Sequence, residues 1–211
     1  MPNKSGSVPN KELTSIWTPA NIVTCVRIVF IPVFMVFADQ AFQGRGIFGL
    51  DAFATALASF ILYAVLSATD KVDGDLARKR GEVTDFGKFL DPIADKLLVF
   101  SALLIFLAHG QLNVWPVFII LLREFLVSAL RMVASANGVV IAADMLGKAK
   151  TATTMVSICG FQLALVFSIA GLSAGHYLWV VSNVLMGIAV VLTIVSGVQY
   201  FYNAREVVFR V

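Results

Sequence analysis

Six apolar runs, approximately residues 20–38, 52–69, 92–109, 114–135, 151–172 and 178–202, take up most of this chain and limit what it can fold into. Each is close to the roughly 20 residues that an α-helix needs to cross about 30 Å of hydrocarbon. The runs are continuous rather than striped, so they do not read as the one-sided helices of a water-soluble core. With 59% hydrophobic and only 14% charged residues among 211, and a mean hydropathy of +0.87, the chain reads as an integral membrane protein. The expected fold class is all-α, with six transmembrane helices after a short amino-terminal interfacial segment. The expected organisation is a polar tail and interfacial segment over 1–19, one six-helix transmembrane domain over 20–203 and a cytoplasmic tail over 204–211.

The opening residues MPNKSGSVPNKELTSIW contain no apolar segment of their own. The run that follows is too long for a signal peptide and shows no small-residue cleavage site, so the first helix is expected to stay in the membrane. Lys11 to Trp17 reads as the interfacial segment, with Trp17 at headgroup depth and Pro19 in the first helical turn. An even number of spans leaves both termini on one side. That side holds Lys4 and Lys11, then Lys71, Arg78, Lys79, Arg80 and Lys88, then Lys148 and Lys150, and finally Arg205 and Arg210, whereas the opposite loops hold Arg45 alone. The excess of bases places both tails and the second loop in the cytoplasm. The net charge of +3 follows from this bias, so no nucleic-acid partner is inferred from it. Cys25 and Cys159 sit inside apolar runs and read as small buried hydrophobes.

The stretch DKVDGDLARKRGEVTDFGKFLDPIADKLL, beginning at Asp70, is densely charged where the rest of the chain is apolar. If its start continues the second helix, then Asp70, Asp73, Gly74 and Ala77 fall at i, i+3, i+4 and i+7 on one face. Gly74 and Ala77 leave room for a ligand against the backbone, and Arg78 offers a guanidinium fork suited to phosphate oxygens. Gly81 is expected to end that helix and Thr84 or Asp85 to cap the next. On this next helix Gly87, Asp91 and Asp95 recur every four residues. Four carboxylates brought together repel unless cations compensate them, and two divalent ions balance them charge for charge. All-oxygen ligation favours Mg²⁺ or Mn²⁺, and a pair of such ions suits chemistry of the phosphoryl-transfer type. Asp75, Glu82 and Asp85 leave the inner stripes and read as a solvated face.

The pattern D-x2-D-G-x2-A-R-x8-G-x3-D-x3-D, complete from Asp70 to Asp95, resembles the signature of the CDP-alcohol phosphotransferase family. The resemblance extends over most of the chain from about Asn21 onward. It implies a six-helix membrane enzyme, a homodimer, that passes a phosphatidyl group from CDP-diacylglycerol to an alcohol and releases CMP. It also implies that Asp70, Asp73 and Asp91 bind one metal ion, that Asp70, Asp91 and Asp95 bind a second, and that Asp95 takes the proton from the attacking hydroxyl. Asp70, Asp73, Gly74, Ala77, Arg78 and Gly87 are then expected around the cytidine diphosphate.

The signature reads the donor only, so the acceptor has to be argued from other charges. Lys148, Lys150 and Thr151 stand at the cytoplasmic start of the fifth apolar run, a helix terminus suited to an anionic group. The plain alternative is that both lysines fix topology beside anionic headgroups. Within the fourth run, Glu124, Ser128 and Arg131 share a stripe, and Arg123 and Glu124 read either as part of a pocket or as a structural ion pair. Arg27 lies about two turns into the first helix, near Asn21 and Thr24, and reads as an acceptor ligand or as a snorkelling base. The acceptor set is therefore expected to be Arg27, Arg131, Lys148, Lys150 and Thr151. The segments NIVTCVRI, TDFGKFLDPIADKLL, REFLVSALR and GKAKT are similar to family members whose acceptor is sn-glycerol 3-phosphate. A second acceptor, inositol phosphate or a phospholipid, remains an alternative. From a different class, so does a divalent-cation transporter, against which the clustering of acids at one surface argues.

Overall fold

The computed structural model of the chain is a bundle of α1 (Pro19–Phe42), α2 (Ala52–Arg80), α3 (Asp85–Ala108), α4 (Val114–Ala136), α5 (Met145–Ile169) and α6 (Ala174–Val208). The structure describes the backbone over 18–80, 85–136 and 145–208, and side chains there except at 20, 70–80, 85, 88–89, 135–136, 204 and 206–208. The described residues contain no strand. Four segments, Asn21–Phe42, Ala52–Thr69, Met145–Ile169 and Ala174–Asn203, are long and apolar enough to cross a membrane. This marks a multi-pass membrane protein. Helices α3 and α4 have 24 and 23 residues but each carries several charges, Asp91, Asp95 and Lys96 on one and Arg123, Glu124 and Arg131 on the other.

Local chemistry explains where the helices start and stop. Thr18 caps α1, its Oγ1 accepting from the Asn21 amide at 3.3 Å, with Pro19 in the first turn. At the far end of α3, Gly110 adopts φ +68°, its amide donating to Leu107 O while the Gln111 amide reaches Phe106 O at 2.8 Å. Gly171 closes α5 in the same way, with Leu172 N on Phe167 O at 2.9 Å. An L-residue with a side chain is strained in this left-handed cap, which is why glycine stands there. Helix α5 begins at Met145 rather than 151, and α6 runs through Val208 past the boundary expected at 203, because short polar stretches continue each helix beyond its apolar run. The polar tail and interfacial segment up to Trp17, and the breaker and cap positions Gly81 and Thr84, lie outside the described residues.

Lipid is as apolar as leucine, so the helices associate through close packing and interhelical hydrogen bonds rather than through exclusion of water. Helix α5 packs along α6, α1 lies against α2 and α3, and α4 leans on α6. Phe34 meets Tyr63 at 5.3 Å between ring centroids, and Phe106 meets Phe161 at 5.2 Å, all four fully or nearly fully buried. Gly160 brings α5 against α6 so closely that a Cβ there would lie 2.2 Å from Ser182 Oγ. Ser157 Oγ donates to Ser182 O at 2.7 Å beside it, and Ser59 donates to Gln162 at 2.9 Å across α2 and α5. Ties also join the helix ends away from the acidic stretch. His109 contacts Asp39 at 2.9 Å and stacks on Phe42, and Trp179 donates to Gln111 at 2.8 Å.

Candidate active site

The acidic stretch is helical on both sides of 81–84. Helix α2 runs through Arg80, so Asp70, Asp73, Gly74, Ala77 and Arg78 occupy its last turns, their side chains outside those described. Gly87 is buried in the first turn of α3, and Asp91 and Asp95 follow at one-turn intervals. The opposing donors come from α1. Asn21, Thr24 and Arg27, spaced three residues apart, form a buried polar stripe on an otherwise apolar helix. Thr24 Oγ1 donates to Asp91 Oδ1 at 2.8 Å, and Arg27 Nη1 donates to Asp95 Oδ1 at 2.8 Å. Arg27 is only 2% exposed, whereas the Asp95 side chain keeps 43% of its surface. The guanidinium therefore anchors one carboxylate oxygen while the acid still faces open space. Arg27, expected with the acceptor set, pairs with Asp95 and is not among the residues lining the cavity described next.

Asp95 and Lys96 open onto a cavity of about 300 Å³ between α3, α4 and α5. Arg123, Glu124, Ser128 and Arg131 line it from α4, and Lys150 and Thr151 from α5. A second hollow of about 550 Å³ shares Arg123, Glu124, Arg131, Lys150 and Thr151 with the first and adds Lys148, Ser196 and Tyr200. Together they make a largely apolar space into which five basic residues are set, next to the last carboxylate of the signature.

Its charges are held in place. Glu124 Oε1 accepts from Arg123 Nη1 at 3.1 Å and from Lys150 Nζ. Arg123 Nη2 donates onward to Ser196 Oγ at 3.2 Å, and its stem passes Gly197, where a Cβ would stand 3.1 Å from Arg123 Cγ. Arg131 donates from Nε to the Tyr200 hydroxyl at 3.1 Å. Lys150 is buried, while Lys148 is exposed on the first turn of α5. The Thr151 hydroxyl donates to Gly147 O within its own helix. A buried Lys150 and a partly buried Arg123, fixed by hydrogen bonds, present their remaining donors in set directions, which suits a phosphate group.

The structure thus brings Arg131, Lys148, Lys150 and Thr151 around one space and places Asp95 at its edge. It also adds residues that sequence reasoning passed over. Lys96 follows Asp95 directly but falls off the i+4 stripe of the acids, and Tyr200 lies in an apolar run. Thr24 was visible only as a polar neighbour of Arg27. Its partner Asp91, 67 positions away, could not be read from spacing along one helix.

A transferase site fits this arrangement, with fixed carboxylates on one flank and a cationic hollow on the other. The family model described as CDP-alcohol phosphatidyltransferase matches residues 17–195. The chain belongs to that family. Among its relatives, the CDP-diacylglycerol–glycerol-3-phosphate 3-phosphatidyltransferase of Bacillus subtilis (strain 168) is 43% identical over 190 residues, covering 88% of this chain and 94% of the relative. A probable phosphatidylglycerophosphate synthase of Mycobacterium tuberculosis (strain ATCC 25618 / H37Rv) is 38% identical over 185 residues, covering 88% and 80%. The 3-phosphatidyltransferase of Rickettsia bellii (strain RML369-C) is 35% identical over 186 residues, covering 88% and 94%.

Proposed function

We propose that the protein transfers the phosphatidyl group of CDP-diacylglycerol to sn-glycerol 3-phosphate, giving phosphatidylglycerophosphate and CMP. The observation that carries this reading is the cavity that sets the Asp95 carboxylate beside Arg123, Arg131 and Lys150. It offers a base for a hydroxyl and a cationic seat for a phosphate within one space. The relatives named for this reaction support the choice of both substrates.

Asp70, Asp73, Asp91 and Asp95 would supply an all-oxygen donor set suited to two hard divalent cations, Mg²⁺ or Mn²⁺. The α1 donors behind Asp91 and Asp95 are the outer partners that such ligating carboxylates require. When bound, the ions supply charge neutralisation at the diphosphate and its leaving group. Arg78 holds the diphosphate, and Gly74, Ala77 and Gly87 leave space for the nucleotide. Arg131, Lys148 and Lys150 hold the acceptor's phosphate, with Thr151 at the rim. Asp95, oriented by Arg27, removes the proton from the acceptor hydroxyl, whose oxygen attacks the phosphorus carrying the lipid as CMP departs.

The polypeptide is read as six spans, α3 and α4 included, forming one catalytic domain over 20–203 with a polar segment over 1–19 and a tail over 204–211. The distribution of lysines and arginines supports a reading in which both termini and the active site face the cytoplasm across the cell membrane. The working unit is a homodimer, with membrane lipids around the apolar faces of α4 and α6.

Product analysis tests the reaction. Purified protein with CDP-diacylglycerol and Mg²⁺ is expected to form phosphatidylglycerophosphate with glycerol 3-phosphate, and no product with inositol phosphate, serine or phosphatidylglycerol. Asp95→Asn should lower kcat by about 10³-fold without unfolding the protein. Product from a different acceptor would overturn the role of Arg131, Lys148 and Lys150, and no CMP from any mixture would overturn the reaction.

A further inference from the structure

Phosphate binding alone does not explain Glu124. A carboxylate beside Lys96, Arg123, Arg131 and Lys150 weakens the attraction of that cavity for an anion. Its two contacts are arranged unequally. Arg123 Nη1 and Lys150 Nζ both donate to Oε1, and Oε2 has no partner among the described residues. One oxygen thus anchors the side chain, and Glu124 lines the cavity together with Asp95. The side chain is 18% exposed, so it is largely withdrawn from solvent. An unengaged carboxylate oxygen in such a place calls for a hydrogen-bond donor, and a phosphate ester that carries a second hydroxyl brings one.

We propose that Glu124 Oε2 accepts a hydrogen bond from the non-reacting hydroxyl of the acceptor, so that the cavity selects a polyol phosphate over a simple hydroxyalkyl phosphate. The inference rests on the acceptor reading proposed above and deepens it. Arg123 and Lys150 then have two tasks. They face the acceptor's phosphate, and they fix the rotamer of Glu124 so that its second oxygen meets the hydroxyl in a defined position. Gly197 contributes by giving the Arg123 stem its path, since a Cβ at that position would crowd Arg123 Cγ at 3.1 Å. A site built to bind a substrate hydroxyl discriminates strongly against an analogue lacking it, because the site's own polar group is then left without a partner.

The test compares kcat/KM for glycerol 3-phosphate and for 3-hydroxypropyl phosphate, which keeps the terminal hydroxyl and the phosphate but lacks the middle hydroxyl. It is made on the full-length protein in detergent with CDP-diacylglycerol and Mg²⁺, for the wild type, Glu124→Gln and Glu124→Ala. The wild type is expected to prefer glycerol 3-phosphate by about 10–100-fold. The preference should shrink to a few-fold in Glu124→Gln, whose single amide oxygen is taken by the cations, and approach unity in Glu124→Ala. A ratio of two acceptors on one variant does not move with the amount of folded enzyme or with a general loss of phosphate affinity. If Glu124→Ala does not fold, the wild type and Glu124→Gln decide the matter. A wild-type ratio near one, or an unchanged ratio in the variants, overturns the proposal while leaving the reaction intact. Failure of the wild type to use glycerol 3-phosphate, with CMP released by another acceptor, overturns the acceptor reading and this inference with it.

Discussion

Arg27 and Lys150 are both buried bases near the same candidate site, yet they have different partners, and the proposed function gives them different duties. Arg27 Nη1 is bound to Asp95, a residue of the signature, whereas Lys150 is bound to Glu124 within the cationic hollow. A Lys at position 27 keeps the charge but loses the planar fork, so Arg27→Lys should misorient Asp95. We expect kcat to fall about tenfold with the KM for glycerol 3-phosphate unchanged. Lys150→Met removes the charge but keeps a similar shape in the proposed acceptor seat, and here the KM for glycerol 3-phosphate should rise about tenfold or more, with the KM for CDP-diacylglycerol unaffected. Steady-state kinetics with each substrate varied in turn separates the two cases, and a matching pattern for both variants would show that the two bases share one role.

At the scale of helices, much was legible because long apolar runs favour a backbone that satisfies its own hydrogen bonds, and the six runs became α1 to α6, four of them long and apolar enough to cross a membrane. What escaped were features that depend on a second helix. Periodicity shows that Asn21, Thr24 and Arg27 share a stripe, but not that the stripe faces α3. Nor does it show that Arg123 threads past Gly197 of α6. The candidate residues on α3 and α5 that line the cavities stood out as charges in an apolar setting, while Lys96 and Tyr200 join that lining only through packing. The helix ends are more predictable, since a glycine after an apolar run is a chemical requirement. Gly171, at φ +72° with nothing near its missing Cβ, is a case where backbone strain alone is at stake. Gly171→Ala should therefore cost about 1 kcal/mol, lowering the thermal midpoint in detergent while leaving kcat/KM for both substrates as it was.

For the molecule as a whole, charge is distributed by end. Among the described residues, Asp91, Asp95, Lys96, Glu124, Arg131, Lys148 and Lys150 gather at one end of the bundle, and at the other Asp39 pairs with His109 and Gln111 with Trp179, beside the glycine caps. The proposed topology is checked by membrane-impermeant maleimide in intact cells, on a background with Cys25 and Cys159 replaced. Asn113→Cys in the α3–α4 turn should be labelled from outside, and Lys148→Cys only after the membrane is permeabilised. Labelling of both in intact cells would contradict the orientation. With the candidate site at the end of the bundle proposed to face the cytoplasm, the water-soluble acceptor would arrive and CMP would leave on one side of the membrane, while the lipid substrate and product exchange sideways with the bilayer, so the reaction would draw on two separate reservoirs.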